Sequence, residues 1–266
     1  MKIHPTAIID SSARLHESVE VGPYTIVEGN VTIDEGTRIA SSARIYSGTR
    51  IGRNNRIYHN ATLGCDPQHL MFDLSTETEL IIGDGNIFRE NVNISRSTYP
   101  EHPMRIGNNN MIMSGVHLAH DCKLGDNNLF VSNSAIGGHV EVGNRAFISG
   151  VVGMHQFCRV GDFALVAGLC KVTRDVPPFC IVDGNPAGVT GVNVVGLRRA
   201  GFSSEVRRAV QEAYRIIYHS NLVTSQAIQS LKAMDERMPE IDSIISFLES
   251  SKRGIVDYSY VSRSEE

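Results

Sequence analysis

From Ile106 to Val172 an apolar residue falls at every sixth position without a break, with Ile112, Leu118, Leu124, Phe130, Ile136, Val142, Ile148, Met154, Val160 and Val166 between. Two places before many of them sits a small or β-branched residue, among them Val116, Cys122, Ser134, Val140, Ala146, Val152, Cys158, Ala164 and Cys170. Glycine follows directly in several hexads, at Gly107, Gly125, Gly137, Gly143 and Gly161. A helix repeats about every 3.6 residues and a half-buried strand every two, so neither accounts for this period. It fits a coil of short strands and corners. Each hexad supplies one flat face, three hexads close a triangular turn, and the turns stack as parallel strands into a prism.

With eighteen residues per circuit, positions n, n+18 and n+36 lie above one another, about 4.8 Å apart per coil. His120, Gly138 and Gln156 therefore share a column, Asp121 and His139 form the column beside it, and His155 adjoins Gln156. Imidazoles, a carboxylate, an amide and a bare backbone position are predicted to meet at one corner.

The same step begins at the first residues and runs through Ile3, Ile9, Leu15, Val21, Val27, Ile33, Ile39, Ile45, Ile51, Ile57 and Leu63. Gly29-Asn30 and Asn54-Asn55 suit tight corners, because both residue types tolerate positive φ. Residues 65–80 break the register with Asp66-Pro67, an apolar Leu70-Met71-Phe72 patch and a polar run, which predicts an extruded loop. Ile82, Phe88 and Ile94 resume the step. Residues 95–105 put Pro100 where an inward apolar residue belongs and predict a second loop. The pattern stops at Asp175-Val176-Pro177-Pro178, and residues 179–192 read as a Gly- and Pro-rich connection. A helical period follows from Asn193. Ser203 is the expected N-cap of a helix whose inner face is Val206, Val210, Ala213 and Ile217. Further helices are predicted over 224–236 and 239–251, the latter with Pro239 in its first turn. The last dozen residues, ending SRSEE, are polar and expected to fray. The predicted architecture is mainly β: a parallel β-helix over 1–192, with a C-terminal α-helical domain over 193–266 capping its open end.

Length and charge narrow the function. The 266 residues allow one long or two ordinary domains, and 25 basic against 29 acidic residues give no polycationic surface, so nucleic acid is not an expected partner. The start, MKIHPTAII, lacks the apolar run of a signal peptide, and no segment reaches transmembrane length. The five cysteines form no CxxC pair, and Cys122, Cys158 and Cys170 occupy the inward small slot. Core packing in a reducing, cytoplasmic compartment is expected, with no metal site.

The chemistry points to His120. An imidazole can take a proton from a hydroxyl near neutral pH, an adjacent carboxylate can orient it, and the N–H of a side-chain-free glycine can approach a developing oxyanion. No serine or cysteine has an equivalent setting, so the expected reaction is direct attack by a hydroxyl or amine on an activated acyl group, with His120 as general base. The alternative is that His117, His120, His139 and His155 are stacked corner residues that solvate a face.

The repeat, His117-Leu-Ala-His120-Asp121-Cys122, Gly137-Gly138-His139-Val140, Met154-His155-Gln156-Phe157, Asp175-Val176-Pro177-Pro178 and the Gly191-Val-Asn193…Arg198-Arg199…Gly201-Phe202 stretch together resemble the UDP-N-acetylglucosamine 3-O-acyltransferases of lipid A biosynthesis. The resemblance covers essentially the whole chain. It implies a left-handed β-helix, against the usual crossover hand, and a homotrimer with active sites in the clefts between prisms. It also implies His120 as base, Asp121 as its partner and the Gly138 N–H as oxyanion donor. His117, His139, His155 and Gln156 would hold the sugar nucleotide, and Asn193 and Arg199 would contact acyl or nucleotide groups, with guanidinium suited to phosphate. Gly168 would leave the acyl groove open to a long chain. The donor implied is a (3R)-hydroxyacyl chain on the phosphopantetheine of acyl carrier protein, with no other cofactor. Arg198, Arg199, Arg207 and Arg208 offer a basic patch for that acidic carrier.

One departure bears on the acceptor. The family's usual first-loop motif carries an aspartate and a lysine where this chain has His69 and Met71, within Gln68-His69-Leu70-Met71-Phe72. A 3-amino analogue of the sugar, giving an amide product, stays open beside the 3-hydroxyl. The later N-acyltransferase of the same pathway carries an extra N-terminal domain, for which hexads starting at Ile3 leave no room. Acetyl-CoA-dependent relatives lack the long helical tail. A non-catalytic repeat scaffold would have no need of the His120, Asp121 and Gly138 cluster.

Overall fold

Strands two residues long, separated by four-residue corners, recur through the computed structural model, which describes residues 2–234 and 237–259. They assemble into three parallel sheets of eleven, nine and eight strands, one per side of a triangular solenoid, with a closing hairpin at the end of the first. The first face begins at Lys2–Ile3, the second at Ile8–Ile9 and the third at Arg14–Leu15. The parallel β-helix expected from the hexads is therefore the fold. On the second face Leu118 pairs with Ile136, Ile136 with Met154 and Met154 with Val172, each eighteen residues on.

Two-residue strands persist because each coil is held on both sides by its neighbours and its inward residues are dry. The large hexad residues from Val21 to Val172 are buried, and so are the small-slot residues Val116, Cys122, Val140, Cys158 and Cys170. Each aliphatic side chain so removed from water contributes about 1.5–3 kcal/mol. Corners turn on single left-handed residues. Asparagine takes this place at Asn30, Asn54, Asn60, Asn91, Asn109, Asn127 and Asn133, as its short polar side chain permits.

A second inward feature is polar. Asn55, Asn86, Asn110 and Asn128 are buried and form a ladder in which each side-chain oxygen accepts the backbone N–H of the residue one coil on, ending at Ala146. Their amides donate to corner carbonyls at Gly83, Gly107, Gly125 and Gly143. Corner carbonyls that would otherwise be buried without a donor are thereby satisfied.

Both loops are extruded where expected. Thr62 pairs with Asn93, thirteen residues beyond a regular circuit, and Asn93 with His117, six beyond. Because the second insertion is one hexad long, the six-residue phase passes through it unchanged.

Residues 179–192 differ from the expected irregular connection. They form a hairpin, Cys180–Gly184 with Ala187–Val192, whose first strand pairs parallel with Leu165–Val166 and extends the first face. Burial alternates only in the first strand, at Cys180 and Val182, whereas Ala187, Gly188 and Val189 of the second are buried in succession, so the sequence carries only a weak strand signal. The Gly and Pro content masks it.

Among the described residues four helices follow: α1 (Val194–Arg199), α2 (Ser204–His219), α3 (Thr224–Lys232) and α4 (Pro239–Ser250). Ser203 caps α2 by accepting the Val206 N–H, and Pro239 opens α4. Tyr214 of α2 donates to the Pro178 carbonyl, and Phe247 of α4 lies under the Arg159 guanidinium at 4.5 Å, so the helices pack back on the solenoid. The third helix ends at Lys232, short of the predicted 236, with Ala233 as its C-cap; positions 235–236 lie outside the described residues, as do 260–266 of the tail expected to fray. The tail up to residue 259 is paired: Val256 N–H donates to Asp175 O, and Ser259 N–H to Val189 O. No described helix is long and apolar enough to cross a membrane.

Candidate active site

The corner between the second and third faces carries His120 and Asp121, and the next two coils carry Gly138-His139 and Gln156-Phe157 at the same corner. Asp121, His139 and Phe157 are the left-handed residues of this column, with φ of 62°, 59° and 65°. Asparagine would adopt this conformation at lower cost, so the site is built on residues chosen for their side chains.

His120 is 7% exposed, and its Nδ1 lies 2.7 Å from Asp121 Oδ2. Asp121 accepts more than this bond. Its Oδ1 accepts from Ser97 Oγ at 2.6 Å and the Thr98 N–H at 2.9 Å, and its Oδ2 also accepts from Thr98 Oγ1 at 2.7 Å. Burial raises the Asp121 pKa, but the bonds from His120, Ser97 and Thr98 outweigh it and hold the carboxyl well below the usual carboxylate range. An ionised Asp121 requires the proton of a neutral His120 on Nδ1, which leaves Nε2 as the acceptor; this tautomer is assigned from the hydrogen-bond network.

Gly138 lies against that ring. A Cβ there would stand 2.8 Å from His120 Cε1 and 3.0 Å from Nε2, so only glycine lets the backbone and the imidazole approach this closely. Among the described residues no acceptor is paired with the Gly138 N–H. The His120 ring and an N–H without a backbone acceptor among the described residues thus lie close together at this corner.

Other imidazoles surround the pair. The His139 ring is 5.3 Å from His120, edge to face, and stacks on Phe157 at 4.4 Å. His69, from the first loop, meets His120 edge to face at 5.4 Å. His117 Nδ1 lies 2.9 Å from Asn93 Oδ1. Burial lowers the pKa of both His117 and His139, in His139 against the opposing charge of Asp121. His155 and Gln156 are exposed one coil further on, and His155 Nδ1 faces the Gln156 carbonyl at 3.0 Å. Met71 is 86% exposed at the tip of the first loop.

The remaining predicted residues lie elsewhere within one chain. Gly168 is exposed at the corner between the first and second faces, where a Cβ would meet only Gly150 O at 3.5 Å. Asn193 is buried and committed at both ends of its amide, donating to Phe163 O and accepting the Gly196 N–H as N-cap of α1. Arg199 is exposed at the end of α1. Between the two corners, the second face carries a shallow apolar groove of about 390 Å³ over Ala119, Ala135, Gly137 and Gly153, with His117, His155 and Lys171 at its margins.

His120, Asp121 and His139 offer donor atoms within 4.8 Å of one another, close enough for a metal ion. The roughly four lone-pair directions of a carboxylate are, however, all used in Asp121, so a cation would have to displace Ser97, Thr98 or His120. The cysteines are not nucleophiles at this site: Cys122 is buried, and desolvation pushes its thiol up to about 12. Sequence reasoning missed Ser97 and Thr98, which lie in a loop with no period to place them.

Comparison with known proteins agrees with this geometry. A family described as Udp N-acetylglucosamine O-acyltransferase, Domain 2, matches residues 175–256, and the bacterial transferase hexapeptide (six repeats) matches residues 103–138. A protein of Janthinobacterium sp. (strain Marseille) named acyl-(acyl-carrier-protein):UDP-N-acetylglucosamine O-acyltransferase is 40% identical over 259 residues, 96% of this chain and 98% of its own. One of the same name from Myxococcus xanthus is 40% identical over 255 residues, 96% of this chain and 98% of its own. The crystal structure of a UDP-N-acetylglucosamine acyltransferase from Bacteroides fragilis superposes with a TM-score of 0.93 at 40% identity, covering 95% of this chain and 99% of that one. That of a UDP-N-acetylglucosamine O-acyltransferase from Moraxella catarrhalis gives 0.93 at 41% identity, covering 96% and 100%. Likeness at this level extends over nearly the whole chain, and this chain belongs to the UDP-N-acetylglucosamine O-acyltransferase family.

Proposed function

We propose that this protein transfers an acyl chain from acyl carrier protein to the 3-hydroxyl of UDP-N-acetylglucosamine, the first step of lipid A biosynthesis. The observation that carries the mechanism is His120, fixed through Nδ1 by Asp121 at 2.7 Å and lying against the Gly138 backbone. Nε2 of His120 takes the hydroxyl proton as the oxygen attacks the thioester carbon. The carbonyl oxygen becomes an oxyanion and accepts the Gly138 N–H. Collapse expels the phosphopantetheine sulfur, which takes the proton back from the His120 imidazolium. Asp121 stays ionised throughout and stabilises the imidazolium, a task worth roughly two to four orders of magnitude together with the base itself.

The same reading takes the working form as a cytoplasmic homotrimer. Val151 and Leu169 are 54% and 74% exposed beside Gly150 and Gly168, at the corner away from His120. An apolar corner of this kind is suited to a second copy. A neighbour would bring Gly168 and Arg199 to the His120 cleft, with the acyl chain in the groove on the second face, whereas Asn193, buried with both ends of its amide bonded, serves as the cap of α1. Five free thiols fit a reducing compartment.

The first loop motivates a second reading of the acceptor, the 3-amino analogue, because His69 and Met71 stand where the family's usual motif has aspartate and lysine. The test is an acyl-transfer assay of the purified protein, with acyl carrier protein thioesters of several lengths against UDP-N-acetylglucosamine and its 3-amino analogue. An ester product supports the main reading and an amide product the second. Absence of transfer to either acceptor removes both.

A further inference from the structure

The second loop, 96–103, belongs neither to the repeat nor to the proposed reacting groups, yet among the described residues it supplies three of the four hydrogen bonds on Asp121, whose Oδ2 also lies 3.5 Å from His139 Nε2. Thr98 gives two, one to each carboxylate oxygen, through N–H and Oγ1. Its hydroxyl has no other recorded acceptor among the described residues. Ser97 Oγ is less committed: it lies 2.6 Å from Asp121 Oδ1 but also 2.6 Å from His102 O, with one proton to give.

The loop is itself held. Arg96 is 9% exposed; it pairs with Asp66 at 2.7 Å, donates through Nε to Thr78 Oγ1 at 3.0 Å and lies over the Phe72 ring at 5.7 Å. Its backbone N–H donates to Cys65 O, and the Ser97 N–H to Glu79 O. These contacts tie the second loop to the first loop, which also carries His69 to the edge of His120. Asp121 is a corner residue with φ of 62° and has no regular strand to orient its side chain.

We propose that Thr98, assisted by Ser97, is a positioning residue for acyl transfer, fixing the Asp121 carboxylate so that Oδ2 meets His120 Nδ1 and Nε2 remains the proton acceptor. This rests on the reading of His120 as general base. A carboxylate free to rotate would meet Nδ1 only part of the time, and the imidazole would populate the tautomer that cannot accept the hydroxyl proton.

The test uses the full-length protein with Thr98→Val, which keeps the shape and the N–H but loses the hydroxyl, and Thr98→Ser, which restores the hydroxyl. Steady-state kinetics and ring-nitrogen NMR of the histidines are read together. Thr98→Val is expected to lower kcat about tenfold, as loss of one charge-assisted hydrogen bond implies. KM for the acceptor should hold within about two-fold, since the lost bond does not touch substrate. In the same variant the His120 resonances should move from a single Nδ1–H tautomer to a mixture, and Thr98→Ser should restore both properties. Unchanged kcat and tautomer in Thr98→Val overturn the proposal. So does a loss of kcat with the tautomer unmoved and no rescue by serine, which marks a merely structural threonine. If the unsubstituted protein transfers no acyl group, the functional reading falls, and the ring-nitrogen spectra still decide whether Thr98 sets the tautomer.

Discussion

Gly138 and Gly137 are adjacent glycines kept for different reasons. A Cβ on Gly137 would strike backbone, with Gln156 N at 2.7 Å, and so would oppose coil stacking. A Cβ on Gly138 would strike the His120 ring, at 2.8 Å from Cε1. Gly138→Ala should therefore leave the fold in place and displace the base, lowering kcat roughly ten- to a hundredfold, since misplacement of a reacting group by about 1 Å costs that much. Kinetics with a thermal melt decide it, and undiminished kcat would mean that the ring does not need its place against Gly138. Asp121 carries a pH dependence of defined sign. Its folded pKa is depressed below the unfolded value of about 3.9, so its contribution to stability is complete above that value and is lost as pH falls toward the folded one. Urea unfolding should show Asp121→Asn less stable than the parent at pH 7, with the gap narrowing toward pH 3. A gap that widens on acidification would reverse the assignment of Asp121 as an ionised acceptor.

At the scale of elements, corners and loops divide the labour. The corners are periodic, so His120, Gly138 and the Asp121–His139 column are legible from spacing alone. The loops are not periodic, so their positions can be read as breaks in the hexad while their contacts cannot. Thr98 reaches Asp121 only because a six-residue insertion folds back over the corner, and Arg96 reaches Asp66 across two insertions. The asparagine ladder is an intermediate case. Asn110 and Asn128 are eighteen apart and could be aligned by arithmetic, whereas Asn55 and Asn86 are separated by the first loop and could not. The hairpin at 180–192 is hidden because Gly and Pro signal irregular chain more strongly than two short apolar runs signal strands. The ladder makes its own prediction. Asn110 is buried, its amide donates to Gly125 O and its oxygen accepts the Asn128 N–H, so Asn110→Ala leaves both without partners. The expected cost is about 2–4 kcal/mol, at the usual penalty for each buried unsatisfied group. Chemical denaturation measures it, and a loss under about 0.5 kcal/mol would show that the ladder is not a structural element.

On the scale of the whole molecule, the solenoid is a ruler on which a base, its partner and an amide donor are set from two coils and a loop. The His120 corner and the Gly168 corner bound opposite edges of the second face, with the apolar groove between them. A long acyl chain laid on that face would run away from the reacting carbon, and a neighbouring copy would close over it. The helices stand at the C-terminal end of the solenoid, where α1 carries the exposed Arg198 and Arg199, while Arg207 and Arg208 of α2 bond the Phe202 carbonyl and Glu205. On the proposed mechanism this arrangement serves one proton transfer at His120 Nε2. The most direct measurement is turnover of purified His120→Ala beside the parent protein, with acyl carrier protein thioester and UDP-N-acetylglucosamine, and with assembly checked by sedimentation. The account predicts a loss of roughly two to four orders of magnitude in kcat with unchanged assembly. Parental turnover in that variant would contradict it.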